Sequence, residues 1–485
     1  MTLSLGAGSA VAIGLYLALV VAIGYRSRRV GKQALSDFYL AGRSLGGFVL
    51  LLTLYATQYS GTTLLGYPGE AYRVGFSWVM SIGFMMAVIV VYQLFAPRLH
   101  LVAQQHGFVT PGDWITYRFR SPTLTLLANI MLVVAISNYL LAQLMAMGHV
   151  TEGLSGGAVP YWVGVVSLTL VVLIYETVGG MRAVAWTDCV QGGMLVVGLV
   201  GLLVVVAPTP GHLEELTRAI AVAQPDKVAV PSWEVCRNWF STILLVGCSA
   251  AVYPHAVQRI YAARSLATLR RSFSAMVFLP LLTAGAVFLV GLFAIQELGQ
   301  LQNVDADQVV PLLLTRWSGR SLTMYLLCVL MVTAVVAAIM STADSVLLSL
   351  SSILAKDIVG PVFMPSATEV ELTRAGKRLS WVVIVVLVAV ALAPRITLWG
   401  LTEIKMEILA QVAPLFLLGV TWRRLTRQAA LTGLVAGTSV YALLLAAGYP
   451  ELWNIHAGVV GLAVNVVACI AVSRGVRSEA VPVEA

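Results

Sequence analysis

The chain has 485 residues, 59% of them hydrophobic and only 11% charged, with a mean hydropathy of +0.89. About a quarter of the residues of a soluble domain are charged, so this composition excludes a soluble globular protein and marks an integral membrane protein. The net charge of +8 and pI near 9.3 would point to nucleic acid in a soluble chain, but here basic residues matter by the side of the membrane they lie on.

No Lys or Arg precedes the first apolar run, 7–25, and Arg26, Arg28 and Arg29 follow it. A signal peptide carries its positive charges in front, so this run is expected to be a retained helix with its N-terminus outside. Apolar runs near the length needed to span a bilayer follow at 46–68, 76–97, 122–148, 160–178, 186–207, 238–258, 273–296, 321–352, 379–394, 397–421, 428–447 and 455–473, about 13 in all. An odd count puts the C-terminus in the cytoplasm. With that orientation the inner segments hold 22 of the 30 Lys and Arg residues, the imbalance that the positive-inside rule demands. The outer loop 208–237, with Glu214, Glu215 and Asp226, is expected to hold an interfacial helix, and the tail beyond Arg477 to be short, polar and disordered. Five scattered cysteines without C-x-x-C spacing argue against a disulfide frame or a zinc site.

The second run contains LYATQYSGTTLLGYPGEAYRVG, from Leu54 to Gly75. Thr57, Gln58, Ser60, Gly61, Thr62 and Thr63 fall near mid-span, where lipid satisfies none of them. A spanning helix tolerates such an interruption where its freed backbone faces protein, an ion or a water-filled cavity, so a broken helix lining a solute site is expected. A small-residue helix contact is the alternative, and it leaves Gln58 unexplained. The seventh run is interrupted by Gly247, Ser249 and Tyr253-Pro254-His255. It starts five runs after the first broken one and so enters from the opposite side, as two inverted repeats require.

The expected fold is therefore all-α, with about 13 transmembrane helices. An N-terminal helix and inner linker (1–45) precede a transport core (46–421) of two repeats, 46–207 and 238–421, and two extra helices with a short tail (422–485) follow.

The ninth run holds AAIMSTADS, Ala337 to Ser345. Ala338, Ser341, Thr342 and Ser345 are three and four residues apart and share one helix face. Their hydroxyls either bond back to their own helix or, with carbonyls from the unwound 56–59 turn, supply the all-oxygen cage that a hard cation such as Na+ takes.

These segments resemble the sodium:solute symporter family, which includes proline, pantothenate, monocarboxylate, sialic acid and sugar sodium symporters. The resemblance is carried by DFYLAGRS (Asp37 to Ser44), the Ala56 to Gly61 turn followed by GYPGEAY (Gly66 to Tyr72), YETVGGMRAVAWTDCVQ (Tyr175 to Gln191), YPHAVQR (Tyr253 to Arg259) and AAIMSTADS. It implies a leucine-transporter-like core and a Na+ site of Ala56, Tyr59 and Ala338 carbonyls with the Ser341 and Thr342 hydroxyls. It also implies a second ion or ion-exit role for Asp188, near Ser345. Asp188 is otherwise a helix N-terminal charge favoured by the dipole. Asp344 stands where the motif often has a small polar residue. Gln58 stands where proline symporters place an Asp, and an amide both donates and accepts.

Gln58 is expected to bind solute, with Thr57, Ser60 and Thr63 as neighbours. Asn138, Gln143, Ser249, Tyr253, His255 and Gln411 are further candidates, each otherwise an inter-helix hydrogen bond. Glu403, Lys405 and Glu407 pair with one another, lie at the water interface or meet the solute, and Arg259 is expected to anchor the inner face. The expectation is a secondary active transporter in the cell's inner membrane that couples Na+ to a small polar organic solute such as an amino acid, a monocarboxylate or pantothenate. Its partners are solute, Na+ and lipid, with no nucleic acid and no evident obligate protein partner. A proton-coupled transporter using Asp188 or Asp344 and a solute sensor are the alternatives; no catalytic motif points to an enzyme.

Overall fold

In the structure, a computed structural model that describes residues 5–30, 34–206, 210–299, 306–393 and 397–475, the bundle is built around the helix Leu322–Ile353. Each of its residues from 331 to 353 is buried, the hydroxyl-bearing face of Ser341, Thr342 and Ser345 included. Apolar side chains cover the rest of its circumference, so the helix has to be enclosed, and Tyr161–Val206, Pro122–Leu154 and Leu5–Val30 pack against it. Leu5–Val30 is peripheral and turns Val11, Leu15 and Leu19 outward.

Among the described residues, nine helices are long and apolar enough to cross a membrane, or ten if the pair Trp233–Ala250 and Pro254–Ala262, bent by 50°, forms one span. The sequence reading expects about 13. Part of the difference lies in helices that run on: Thr62–His106 joins the end of the second expected run to the third, and Tyr161–Val206 joins the fifth to the sixth. At about 1.5 Å per residue the latter is more than twice as long as the roughly 30 Å hydrocarbon layer is thick. It is divided at Gly180, whose φ of 56° and ψ of −155° lie in a region open essentially to glycine alone. The tenth expected run, 379–394, begins within Glu369–Ala391 and ends outside the described residues; Arg374, Lys377 and Arg378 shorten the apolar stretch of that helix.

The loop 208–237 does contain a helix, Pro210–Ala223, which buries Leu216 and Ile220. The tail beyond residue 475 lies outside the described residues. The expected all-α fold needs one amendment, an antiparallel hairpin of Glu451–Leu452 with Ile455–His456. It turns at Trp453 and Asn454, both at positive φ, the geometry that matches strand twist in two-residue hairpins. The two broken helices are tied at one end, where Leu45 donates to the Ala262 carbonyl at 3.2 Å and Arg264 donates to that of Leu45 at 3.0 Å.

A Cβ at Gly180 would lie 2.6 Å from the Phe38 carbonyl oxygen. Gly180→Ala is expected to lower unfolding stability by about 1–3 kcal/mol through backbone strain, read as a lower melting temperature of the purified protein. Gly193, helical and with nothing within 4 Å of a built Cβ, is the control, and Gly193→Ala should leave the melting temperature unchanged or raise it.

Candidate ion and solute site

The helix Gly47–Gln58 stops at Tyr59, which is extended (φ −110°, ψ 111°), and the chain resumes through Thr62–Gly66 into Tyr67–Val74. At the break, the Ser60 N–H faces Thr63 Oγ1 at 3.4 Å and the Gly61 N–H donates to Gln143 Oε1 at 3.0 Å. In an unbroken helix these N–H groups would bond the carbonyls of Ala56 and Thr57, so those oxygens are released. Left unpaired, a buried N–H costs about 1–3 kcal/mol, and Gln143 removes that cost at Gly61. A Cβ on Gly61 would sit 2.7 Å from Ile339 and 2.8 Å from Ala146, so glycine lets two helices close on the break. The second interruption separates Trp233–Ala250 from Pro254–Ala262 at Tyr253.

All five residues expected around Na+, Ala56, Tyr59, Ala338, Ser341 and Thr342, are buried. One carboxylate joins the two elements that carry them. Asp188 accepts a hydrogen bond from Thr53, one helical turn before Ala56, and another from Ser341 Oγ at 2.5 Å. Having given its hydrogen to Asp188, the Ser341 oxygen keeps lone pairs for a cation. Thr342 Oγ1 is buried and makes no hydrogen bond of normal geometry among the described residues, although the Tyr139 hydroxyl faces it. The orphaned Thr342 hydroxyl, the Ser341 oxygen and the released carbonyls of a helix that Asp188 ties to theirs are oxygen donors of the kind that hard cations select.

Asp188, Asp344 and Ser345 also come together, around a residue that the sequence reading assigns elsewhere. Arg259 is not an anchor at the inner face: it is fully buried, with Nη2 3.0 Å from Asp188 Oδ2 and 2.6 Å from Ser345 Oγ, and Nε 2.8 Å from Thr53 Oγ1. The bend at Tyr253 turns Pro254–Ala262 so that Arg259 reaches Asp188. Asp188 lies within Tyr161–Val206 rather than at a helix N-terminus. Asp344 accepts from the Tyr175 hydroxyl at 2.6 Å and from Ser345 at 3.1 Å. The guanidinium pairs with Asp188, while Asp344 is held by the Tyr175 and Ser345 hydroxyls.

A cavity of about 20 Å³ lies against the first break, with Gln58, Ser60, Thr63 and Tyr253 of the expected solute residues in its wall. The other candidates do not line it. Thr57 donates to its own helix at Thr53, Gln143 holds Gly61, and Ser249 donates to the Met406 carbonyl at 2.7 Å. His255 stacks behind Tyr253 at 4.9 Å, and Asn138 keeps its Oδ1 buried without a hydrogen-bond partner among the described residues. Gln411 faces the C-terminal helices, donating to Gly458 at 2.8 Å.

Tyr139, Thr402 and Lys405 line the cavity as well; the sequence reading names neither Tyr139 nor Thr402 there, and gives contact with the solute as one of three readings for Lys405. Tyr139 faces Ser60 and Thr342 with its hydroxyl, while its ring centroid lies 3.1 Å from Lys405 Nζ. Lys405 is 2% exposed, and no described residue forms an ion pair or hydrogen bond with it. Glu403 borders a separate vestibule and Glu407 lies 3.8 Å from His456. A cation–π contact contributes about 2 kcal/mol when desolvated, whereas a buried charge costs several, so Tyr139 offsets only part of the burial of Lys405. The signal in the sequence was a lone Lys at a depth where charge is expensive.

The vestibule, about 430 Å³, is bordered by Glu70, Trp78, Trp399 and Glu403. Tyr67, which lines the small cavity, packs edge-on against Trp78 and Trp399 at 5.7 Å, so an aromatic cluster separates the two spaces. At the opposite end, hydrogen bonds close the bundle: Arg43 donates to the Phe108 carbonyl at 2.7 Å, Lys356 pairs with Asp113, and Gln258 donates to Ser352 at 2.8 Å.

The family model described as the sodium:solute symporter family matches residues 38–437. Curated relatives include the sodium/proline symporter of Salmonella typhimurium, 28% identical over 466 residues with 91% of this chain and 89% of that one covered. The sodium/pantothenate symporter of Haemophilus influenzae is 25% identical over 450 residues, covering 91% and 90%. Among solved structures, a substrate-bound, outward-open Na+-coupled sialic acid symporter matches with a TM-score of 0.80 at 18% identity, over 98% of both chains. A closed nucleobase-cation-symport-1 family transporter matches at 0.59 with 15% identity, over 92% of this chain and 96% of that one. At these identities the two structures speak for the fold, that of the leucine-transporter-like transporters.

The Asp188–Arg259 pair makes a prediction. Removing one partner of a buried pair costs about 3–5 kcal/mol, while replacing both is far less harmful. Arg259→Met should therefore lower the melting temperature sharply, and Arg259→Met with Asp188→Asn should recover most of the loss.

Proposed function

The chain belongs to the sodium:solute symporter family, and on that premise we propose that it carries a small polar organic solute inward with Na+ by alternating access. It is a multi-pass membrane transporter and not an enzyme. The observation that carries the Na+ assignment is the orphaned, buried Thr342 hydroxyl beside Ser341, whose own hydrogen is engaged by Asp188. Na+ is held by the Ala56, Tyr59 and Ala338 carbonyls and the two hydroxyls. The solute is held against Gln58, Ser60, Thr63 and Tyr253. Gln143 and Ser249 position the helices that frame it, through their bonds to Gly61 and Met406, while Thr57, Asn138, His255 and Gln411 lie outside the cavity wall.

The Asp188, Asp344 and Ser345 cluster carries one more carboxylate than guanidinium, and a second Na+ balances that charge. Proton coupling is the second reading, since a proton on Asp344 balances it equally. Uptake that follows a Na+ gradient at fixed pH decides for Na+.

The arrangement is that of a chain in the cytoplasmic membrane with its N-terminus outside and its C-terminus inside. Its 13 spans form two inverted repeats of five (46–207 and 238–421) with one extra helix before them and two after (422–485). The vestibule beside Glu70 and Glu403 faces outward, and the end closed by Arg43, Asp113 and Lys356 faces the cytoplasm. Ion and solute meet at the first broken helix, so each stabilises the backbone geometry the other needs. By linkage Na+ raises solute affinity by the factor by which solute raises that of Na+. The relatives named for proline and pantothenate bracket the solutes to test.

In proteoliposomes, Ser341→Ala with Thr342→Ala should abolish Na+-stimulated uptake; unchanged Na+ dependence would remove the ion site proposed here. Gln58→Ala should weaken solute binding at least tenfold while changing Na+-induced thermal stabilisation by less than twofold, and equal loss of both would refute its assignment to the solute.

A further inference from the structure

We infer that the solute is an anion, a monocarboxylate without a compensating positive charge, and that Lys405 receives its carboxylate. The inference rests on the symport reading above and narrows its solute class.

Lys405 is buried in the wall of the cavity that adjoins the broken helix, and no described residue is its ion-pair or hydrogen-bond partner. The carboxylates on its own helix, Glu403 and Glu407, are two residues away on either side and do not share its face. One borders the vestibule and the other faces His456. The elements packed against Lys405 offer the rings of Tyr139, at 3.1 Å, and Tyr253, at 5.3 Å, and the cavity wall contains no acidic residue.

Three solute charges are to be compared. A neutral solute leaves Lys405 either a buried ammonium without a counter-charge or an amine that has given up its proton. A zwitterion brings a carboxylate together with a second ammonium, and the wall offers that ammonium only amide and hydroxyl oxygens beside an existing cation. An anion alone neutralises Lys405 and adds no unmatched charge. Gln58, neutral and able to donate, fits the remaining polar atoms of such a solute.

The same lysine couples solute to ion. Tyr139 touches Lys405 with its ring and faces Thr342 with its hydroxyl, so the ammonium and a cation beside Thr342 lie on two sides of one residue. In a medium of low dielectric they repel. A solute carboxylate relieves the repulsion, and an anion therefore favours Na+ more than a neutral analogue of the same shape does.

The test uses the full-length purified protein and thermal stabilisation in NaCl, with probes matched in shape and different in charge: propionate, propionamide and L-alanine; pantothenate and its alcohol panthenol; and pyruvate. The expected result is stabilisation by at least one carboxylate and by none of the neutral or zwitterionic analogues. Lys405→Met should weaken that carboxylate at least tenfold and bind Na+ alone more tightly than the wild type, a gain that general misfolding does not produce. Lys405→Arg should retain carboxylate binding.

Stabilisation by propionamide, panthenol or L-alanine equal to that by the matched carboxylate overturns the inference, as does unchanged carboxylate binding in Lys405→Met or silence from all three carboxylates. The wild-type comparison stands even if the variant does not fold. Repeating the series in KCl separates the two readings. Carboxylate binding that needs Lys405 but not Na+ keeps this inference and fails the symport reading, whereas Na+-dependent binding of L-alanine alone does the reverse.

Discussion

Asp188 accepts from Thr53, Ser341 and Arg259, which lie on three different helices, and the proposed ion site depends on those three donors converging on it. In a bilayer neither a carboxylate nor a guanidinium is tolerated alone. Each fixes the other, and the hydroxyls drawn into the pair are fixed with them. One consequence is that Ser341 presents a lone pair in a set direction. Another is that the second broken helix, through Arg259, is mechanically joined to the first, through Thr53. A movement of either helix has to break or carry that pair.

The broken helices meet a different constraint. Unwinding a membrane helix exposes backbone groups that lipid leaves unsatisfied, so every released N–H needs a protein acceptor while some released carbonyls are kept for a cation. Gln143 and Thr63 supply the acceptors. The asymmetry is chemical: the donors are answered by side chains, and the carbonyl side of the break stays available to an ion.

In the proposed arrangement Tyr139 stands between ion and solute: its hydroxyl faces Thr342 and its ring faces Lys405. An alkali ion and a buried ammonium in one low-dielectric region disfavour each other, and a carboxylate between them changes the sign of that interaction. Coupling of this kind needs no large displacement, only an anion placed between two cations. The aromatic cluster of Tyr67, Trp78 and Trp399 between cavity and vestibule lies where a solute entering by the vestibule would have to pass.

The sequence by itself determined that the chain lives in a membrane and where its two helices break, because hydropathy and backbone satisfaction are local properties: a polar, Gly-containing turn at mid-span has few physical solutions. It also brought Ser341, Thr342 and Asp344 into view, since helical periodicity puts hydroxyls on a common face without reference to any other segment. The number of separate spans was less legible, because hydropathy drops between 178 and 186 while the backbone helix runs on through the bend at Gly180. What only the tertiary structure decided is which polar residue meets which. Arg259 reads as an inner-face anchor until the bend at Tyr253 carries it to Asp188. Gln411 reads as a solute contact until it is found on Gly458. Lys405 reads as part of a charged patch until its two glutamates turn away and Tyr139 receives it. Pairing of charges is a long-range property, set by how helices distant in sequence pack, and no periodicity within one helix encodes it.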